Sequence, residues 1–285
     1  MRIALFGKTG QVATEVQRRA PESIALDVIG RDRADFAHPD KIESIAGRLD
    51  ADVIINAVAY TAVDKAEAEV EAATAINNLA VEALAKGAAT RSIPIIHIST
   101  DYVFDGTGKN ARAPDAPTGP LSIYGATKLA GENAIRAQGA IHAILRTSWV
   151  FSAHGSNFAK TMLRLGAERK HLSIVADQVG GPTSAASIAD AVLTIAEALN
   201  SGHTGGTYHF SGTPDASWAD LAREIFAQAK MNVSVEDILT INYPPPAKRP
   251  LNSRLDCESL TRDFAITRPD WREDLKKVLK ELGAI

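Results

Sequence analysis

The chain has 285 residues, 31 Lys and Arg against 34 Asp and Glu, and 45% hydrophobic residues. That balance excludes a largely disordered chain, and it excludes a general nucleic-acid binder, which needs a basic excess to displace phosphate counterions. One cysteine, Cys257, excludes an internal disulfide and a multi-cysteine zinc site. In chain order, Arg2 to Phe6 reads as a strand, Gln11 to Arg19 as a helix and Ile24 to Ile29 as a second strand. Asp52 to Val58 is a third, followed by a helix over Ala73 to Ala88, a strand over Pro94 to Ser99, a helix over Tyr124 to Ala137 and a strand over Ile141 to Arg146. Apolar strands alternating with helices predict a doubly wound α/β fold with a parallel sheet covered on both faces.

After Trp149 the rhythm loosens, with helices expected at Asn157 to Glu168, Ser187 to Leu199 and Ser217 to Ala229. At about 150 residues per domain the length suggests two domains. These are a dinucleotide-binding domain over 1–150, with later segments returning to it, and a smaller α/β domain over 151–285 that is mainly for substrate. The proline-rich Tyr243 to Pro250 reads by pattern as a linker. The seven histidines are scattered without a ligand spacing, so no metal is expected. No targeting segment is visible, and no uncharged apolar run approaches the ~18 residues of a membrane helix. A reducing cytoplasm is the expected compartment.

The first strand runs into Gly7-Lys8-Thr9-Gly10-Gln11-Val12-Ala13. Glycines there let the backbone approach a diphosphate, and the following helix offers free N–H groups and its positive dipole end. The spacing is G-x-x-G-x-x-A, so Gly7, Gly10, Gln11 and Val12 are candidate cofactor contacts. Asp27, about twenty residues on, is placed to accept a ribose hydroxyl, while Arg31 and Arg33 are placed to hold a 2′-phosphate instead. NADH against NADPH is therefore open. Asp35 and Phe36 have the form of an adenine contact.

Tyr124 and Lys128 stand at i, i+4 on one helix face. Reducing a ketone by hydride makes an alkoxide that needs a proton. A phenol with a reference pKa of about 10 serves better when an ammonium stabilises its phenolate. Upstream, the strand over Pro94 to Ser99 delivers Thr100 and Asp101 to a strand carboxyl end, where a hydroxyl can steady a developing oxyanion.

This order of motifs resembles the extended short-chain dehydrogenase/reductases, and in detail the members that reduce nucleotide-linked 4-keto sugars. The likeness covers nearly the whole chain. It rests on Phe6 to Val12, Thr61 to Glu67, Ser99 to Gly106, Tyr124 to Glu132, Arg146 to Phe151, Asn157 to Leu165 and Lys248 to Leu255. It implies an NAD(P)H-dependent oxidoreductase that passes a hydride to C4 of dTDP-6-deoxy-L-lyxo-4-hexulose, giving dTDP-L-rhamnose. Under it Tyr124 is the proton donor, Lys128 its activator and ribose contact, and Thr100 the group polarising the ketone. Gly10, Gln11 and Val12 lie along the diphosphate, Asp35 and Phe36 at the adenine, and Ala59, Tyr60 and Thr61 at the nicotinamide. Thr100, Asp101 and Trp149 touch the sugar. Arg249 pairs with the nucleotide diphosphate, which reverses the linker reading of its loop.

Ala13 replaces a usual glycine. Some relatives dimerise through Mg²⁺-bridged carboxylates that include a glutamate after a G-x-P-T loop. Here Gly180 to Thr183 is followed by Ser184-Ala185-Ala186-Ser187, which implies a monomer or a metal-independent homodimer. The alternatives are a nucleotide-sugar epimerase or dehydratase with a tightly held cofactor, kept in play by Asp101, and a non-catalytic dinucleotide-binding regulatory subunit.

Overall fold

A computed structural model describes residues 1–285. Five strands open the main sheet: β1 (Arg2–Phe6), β2 (Ala25–Ile29), β3 (Val53–Asn56), β4 (Ile95–Thr100) and β5 (His142–Thr147). A sixth, Gly205–His209, joins beside β5, and the order runs from it through β5, β4, β3 and β1 to β2. Every pairing is parallel. The expected α/β class is what forms.

Strand periodicity divides the apolar runs between two cores. Ile3 and Leu5 of β1, with Val53 and Ile55 of β3, face the helix Gln11–Arg19 and the helix Ala185–Asn200. Ala4, Phe6 and Ile54 face the opposite layer, built from the helices Pro39–Ala46, Ala80–Ala89 and Ile123–Ala137. The main sheet therefore draws on chain from both sides of residue 150. The strand Gly205–His209 is not foreseen by the sequence reading. Its Gly205 has a left-handed φ of 75°, and a Cβ there would lie 1.9 Å from the His142 carbonyl oxygen. Glycine is there because the neighbouring backbone is close.

A third core forms around Phe151, Met162, Leu221, Phe226, Trp271 and Leu275, from the helices Phe158–Glu168, Trp218–Gln228 and Trp271–Glu281. Beside it the strands His171–Val175 and Ser234–Ile238 pair in parallel. The last helix and both of these strands lie in stretches for which the sequence reading proposed no element. No helix is long and apolar enough to cross a membrane.

The connections place the site. The strand order reverses between β1 and β3, from which the chain goes to β2 on one side and to β4 on the other, and ligands bind in such crevices at strand carboxyl ends. The turn after β1, the segment after β3 and the end of β4 all open onto this crevice.

Candidate active site

A cleft of about 570 Å³ lies at the carboxyl ends of the main-sheet strands and is walled on its far side by the third core. It brings together Gly10, Gln11, Val12, Ala59, Thr61, Thr100, Asp101, Tyr124, Lys128 and Trp149 from the sequence-derived set. At the cofactor end the glycine turn opens onto the cleft. Gly7 holds a left-handed φ of 113°, Ala13 sits in contact range of it, and no side chain caps the helix that starts at Gln11. Beyond Gly10 the space is open. That cradle of glycine and free helix N–H groups fits a dinucleotide diphosphate. The Gln11 side chain accepts from Asn157 Nδ2 at 2.9 Å and Ser152 Oγ at 3.2 Å.

The adenosine end departs from the sequence reading. Asp27 is an exposed mid-strand residue of β2, and Arg33 grips its carboxylate in two bonds of 2.5 and 3.0 Å. The strand ends two residues later, at Ile29, so Gly30, Arg31 and Asp32 occupy the position assigned to Asp27. Arg31 donates to Asp35 at 3.1 Å, and Asp35 also accepts from the Ala37 backbone at 3.0 Å. The Phe36 ring is buried in the core, edge-on to Phe6 at 5.8 Å between centroids, so it is not free to cover an adenine. An apolar ring next to a packed sheet gains more by burial there than at a wet surface. Tyr60 points its hydroxyl to Glu69 at 2.5 Å, while its backbone is pinned by Asn77.

At the catalytic end, two glycines bring the Tyr124 helix close. A Cβ on Gly125 would stand 2.2 Å from the Tyr102 carbonyl oxygen, and one on Gly131 would stand 2.2 Å from that of Asn77. Buried Asn77 lies in a π-type turn, Ala75–Leu79, and donates to Thr127 at 3.1 Å. It ties the Tyr60 segment to this helix, a use typical of such bulges near sites. Ser122 caps the helix by accepting from the Gly125 N–H at 3.2 Å, a bond of about 1 kcal/mol.

Tyr124 is partly exposed to the cleft and Lys128 is buried. Burial pushes the phenol up to about 12, opposed by the nearby Thr100 hydroxyl and reinforced by Asp101. The Lys128 Nζ donates to the Ile98 carbonyl at 2.7 Å and lies 3.0 Å from His97 Nε2, and burial brings it down to about 8. Thr100 donates to Asp101 Oδ1 at 3.1 Å. Burial raises Asp101 to about 6, and its Oδ2 has no partner. Thr147, opposite Thr100 in the register of β4 and β5, also lines the cleft with its hydroxyl unpartnered. The sequence reading missed Thr147; its place at the end of a predicted strand was the available signal. Orphaned polar atoms in a cleft are acceptors and donors held ready for a ligand.

Trp149 has a left-handed φ of 50° and stacks on Trp218 at 3.7 Å and 10°. Trp218 in turn touches Phe158, and this wall leads into a neighbouring cavity of about 860 Å³. Arg249 lines that cavity rather than the main cleft, and its guanidinium is held by Asp64 in bonds of 2.7 and 3.0 Å.

The chain matches the family model described as RmlD substrate binding domain over residues 1–284. It is 43% identical to dTDP-4-dehydrorhamnose reductase of Sinorhizobium fredii, covering 98% of this chain and 97% of that one. Against the enzyme of the same name from Escherichia coli K12 it is 45% identical, covering 99% and 98%. The chain belongs to the dTDP-4-dehydrorhamnose reductase family. A family member's crystal structure from Clostridium acetobutylicum aligns with a TM-score of 0.93 at 34% identity, over 99% of this chain and 100% of that one. Another, from Bacillus anthracis in complex with NADP, aligns at 0.92 and 32%, over 98% and 99%.

One cluster lay outside the sequence reading, which found no histidine with ligand spacing. Glu15, His154 and Glu281 present ligand atoms within 4.8 Å of one another. The Arg18 guanidinium reaches all three, with Glu281 at 2.5 Å. Asp190, the first carboxylate after the Gly180–Thr183 loop, is paired with Arg19.

Proposed function

We propose that Thr100, Tyr124 and Lys128 carry out the reaction of this family in the main cleft. That reaction is the NAD(P)H-dependent reduction of a dTDP-linked 4-keto sugar to dTDP-L-rhamnose. In our reading the substrate is dTDP-6-deoxy-L-lyxo-4-hexulose. The bound reduced nicotinamide supplies the hydride to C4. Thr100 donates to the ketone oxygen and stabilises the charge that develops there. Tyr124 transfers its phenolic proton to the same oxygen, leaving the alcohol and a phenolate. Lys128 meets the nicotinamide ribose.

The observation that carries this reading is that one cleft brings Thr100, Tyr124 and Lys128 together beside the open glycine turn at Gly10. Burial pushes the Tyr124 phenol up to about 12, so it holds its proton in the chain alone. Trp149 lines the cleft beside the sugar, Asp101 Oδ2 and Thr147 face sugar hydroxyls, and the nucleotide extends along Trp218 and Phe158 into the second cavity. There Arg249 exchanges Asp64 for the diphosphate, which suits its bidentate geometry. A monomer or a metal-independent dimer in a reducing cytoplasm fits the single buried Cys257 and the Arg18 and Arg19 ion pairs.

Tyr124→Phe is expected to lower kcat by about 10²–10⁴, the usual worth of a positioned acid, with little change in cofactor affinity. Turnover is followed through loss of reduced nicotinamide, with the product sugar identified. Near-normal turnover would remove Tyr124 as proton donor.

A further inference from the structure

The tryptophan stack has a support that the reaction as described does not use. Trp218 and Phe158 border both cavities and form the wall between them. The strand Val179–Gly180 pairs antiparallel with Ala216–Ser217, Val179 opposite Ser217, and this register brings Gln178 beside Trp218. The Trp218 Nε1–H donates to Gln178 Oε1 at 3.1 Å. An indole N–H can only donate, so the amide is oriented and its NH₂ turns the other way. That NH₂ donates to Thr240 Oγ1 at 3.1 Å. The Thr240 hydroxyl donates in turn to Asp177 Oδ1 at 2.6 Å, and the Thr240 backbone N–H lies 2.9 and 3.1 Å from the two carboxylate oxygens. A carboxylate only accepts. Each proton in this series therefore has one place, and no member can turn without breaking a bond. Gln178 is buried, so water does not replace a bond it loses.

Trp149 needs such a support. Its left-handed φ of 50° is a conformation that a bulky residue keeps only where its surroundings impose it. Trp218 stacks on its ring with the planes 10° apart. Gly180 makes room for the same ring, because a Cβ there would stand 3.1 Å from Trp149 Cε2. The run Asp177 to Gly180 thus seats both indoles. On its other side Thr240 opens the short turn Thr240–Asn242, and Asn242 and Tyr243 border the second cavity. One bonded series runs from the rim of that cavity to the wall of the main cleft.

We propose that Gln178 and Thr240 are positioning residues that hold Trp218 flat against Trp149, so that the wall beside the sugar is fixed from the nucleotide side before substrate arrives. This rests on the reading that the sugar nucleotide spans the two cavities past that wall. A wall set in advance spares the substrate the cost of ordering two large side chains, so the effect belongs to substrate binding.

The test joins steady-state kinetics on the 4-keto sugar nucleotide to near-ultraviolet circular dichroism, in which the stacked pair is the band lost in Trp218→Phe. Trp271, the third tryptophan, is fixed in the third core with its N–H on the Pro214 carbonyl at 2.7 Å. Gln178→Met keeps the side-chain length and removes both bonds, and Thr240→Val keeps the shape and removes the hydroxyl. Each is expected to lose most of that band and to raise KM about three- to tenfold, the worth of roughly one hydrogen bond, with kcat changed far less. Unchanged NADPH affinity reports that a variant is folded. Thr240→Ser returns both readouts to wild type, since it restores the hydroxyl without the methyl. The Thr240 pair carries the prediction alone if Gln178→Met does not fold. Trp149→Ala tests the underlying reading and is expected to raise KM. If it does so while folded Gln178→Met or Thr240→Val keeps the wild-type band or the wild-type KM, these residues are packing and the inference is overturned. If Trp149→Ala leaves KM unchanged, the wall does not meet the substrate, and the reading falls with the inference.

Discussion

Asp101 shows how one side chain can be costly to the fold and useful to the site. Burial pushes its pKa up to about 6, with Ser253 and Thr100 only partly compensating. The unfolded chain keeps the ordinary value of about 3.9, so the folded protein holds this proton more tightly. Stability therefore falls as pH rises between about 4 and about 6, and the whole penalty, about 3 kcal/mol, stands above that window. Asp101→Asn has no charge to bury. Its stability advantage over wild type is expected to grow across that window and level off above it, as read by thermal melts against pH. Its kcat/KM for the sugar should fall, because Oδ2 is unpartnered and lines the cleft. A variant with the same pH-dependent melting as wild type would contradict the assignment. The residue types at this site were legible as Thr100, Asp101, Tyr124 and Lys128. The acidities were not, because burial and the partners of Lys128 set them.

At the scale of elements, the helix Ile123–Ala137 does two jobs along one face, because Glu132 follows Lys128 at the same four-residue spacing. Tyr124 and Lys128 face the cleft, and Glu132 anchors the helix to the sheet. Glu132 accepts from Arg146 at 2.9 and 2.7 Å, from Arg136 at 2.8 Å and from Ser99 at 2.6 Å. Those partners hold its pKa below the usual carboxylate range despite burial. Its stabilising effect is thus present above the unfolded value of about 4.3 and is lost as pH falls through the lower folded value. Glu132→Gln leaves the Arg146 guanidinium, only 2% exposed, without its counter-charge. A loss of about 3–5 kcal/mol is expected in urea unfolding at neutral pH. A change under about 1 kcal/mol, the range of a surface pair, would mean the carboxylate is not what holds this helix. The i, i+4 spacing revealed the catalytic pair. Gly125 and Gly131 carried no sequence signal of their own, since only the neighbouring carbonyls make them necessary.

At the scale of the molecule, Asp64 after β3 and Arg249 near the C-terminal blocks join distant parts of the chain across the region between the two cavities. If Arg249 serves the substrate diphosphate, Arg249→Ala raises KM for the nucleotide sugar by about tenfold or more, some 1.4 kcal/mol, and changes kcat far less. Asp64→Asn weakens the competing partner and leaves KM unchanged or lower. Steady-state kinetics on the two variants separates this from a purely structural pair, in which both substitutions would impair the enzyme alike.

What the sequence determined by itself was local. It gave the alternation of apolar strands and amphipathic helices, the glycine turn at Gly7 to Gly10, and the Tyr124 and Lys128 pair, because period and spacing act through neighbours along the chain. The tertiary structure decided the rest. It assigned Asp27 to Arg33, Phe36 to the core and Arg249 to Asp64, it added the strand Gly205–His209 to the main sheet, and it turned Lys128 toward His97. Each outcome depends on which long-range partner reaches a charge, a ring or a carbonyl first. Such competition between groups distant along the chain leaves no periodic trace in the order of residues.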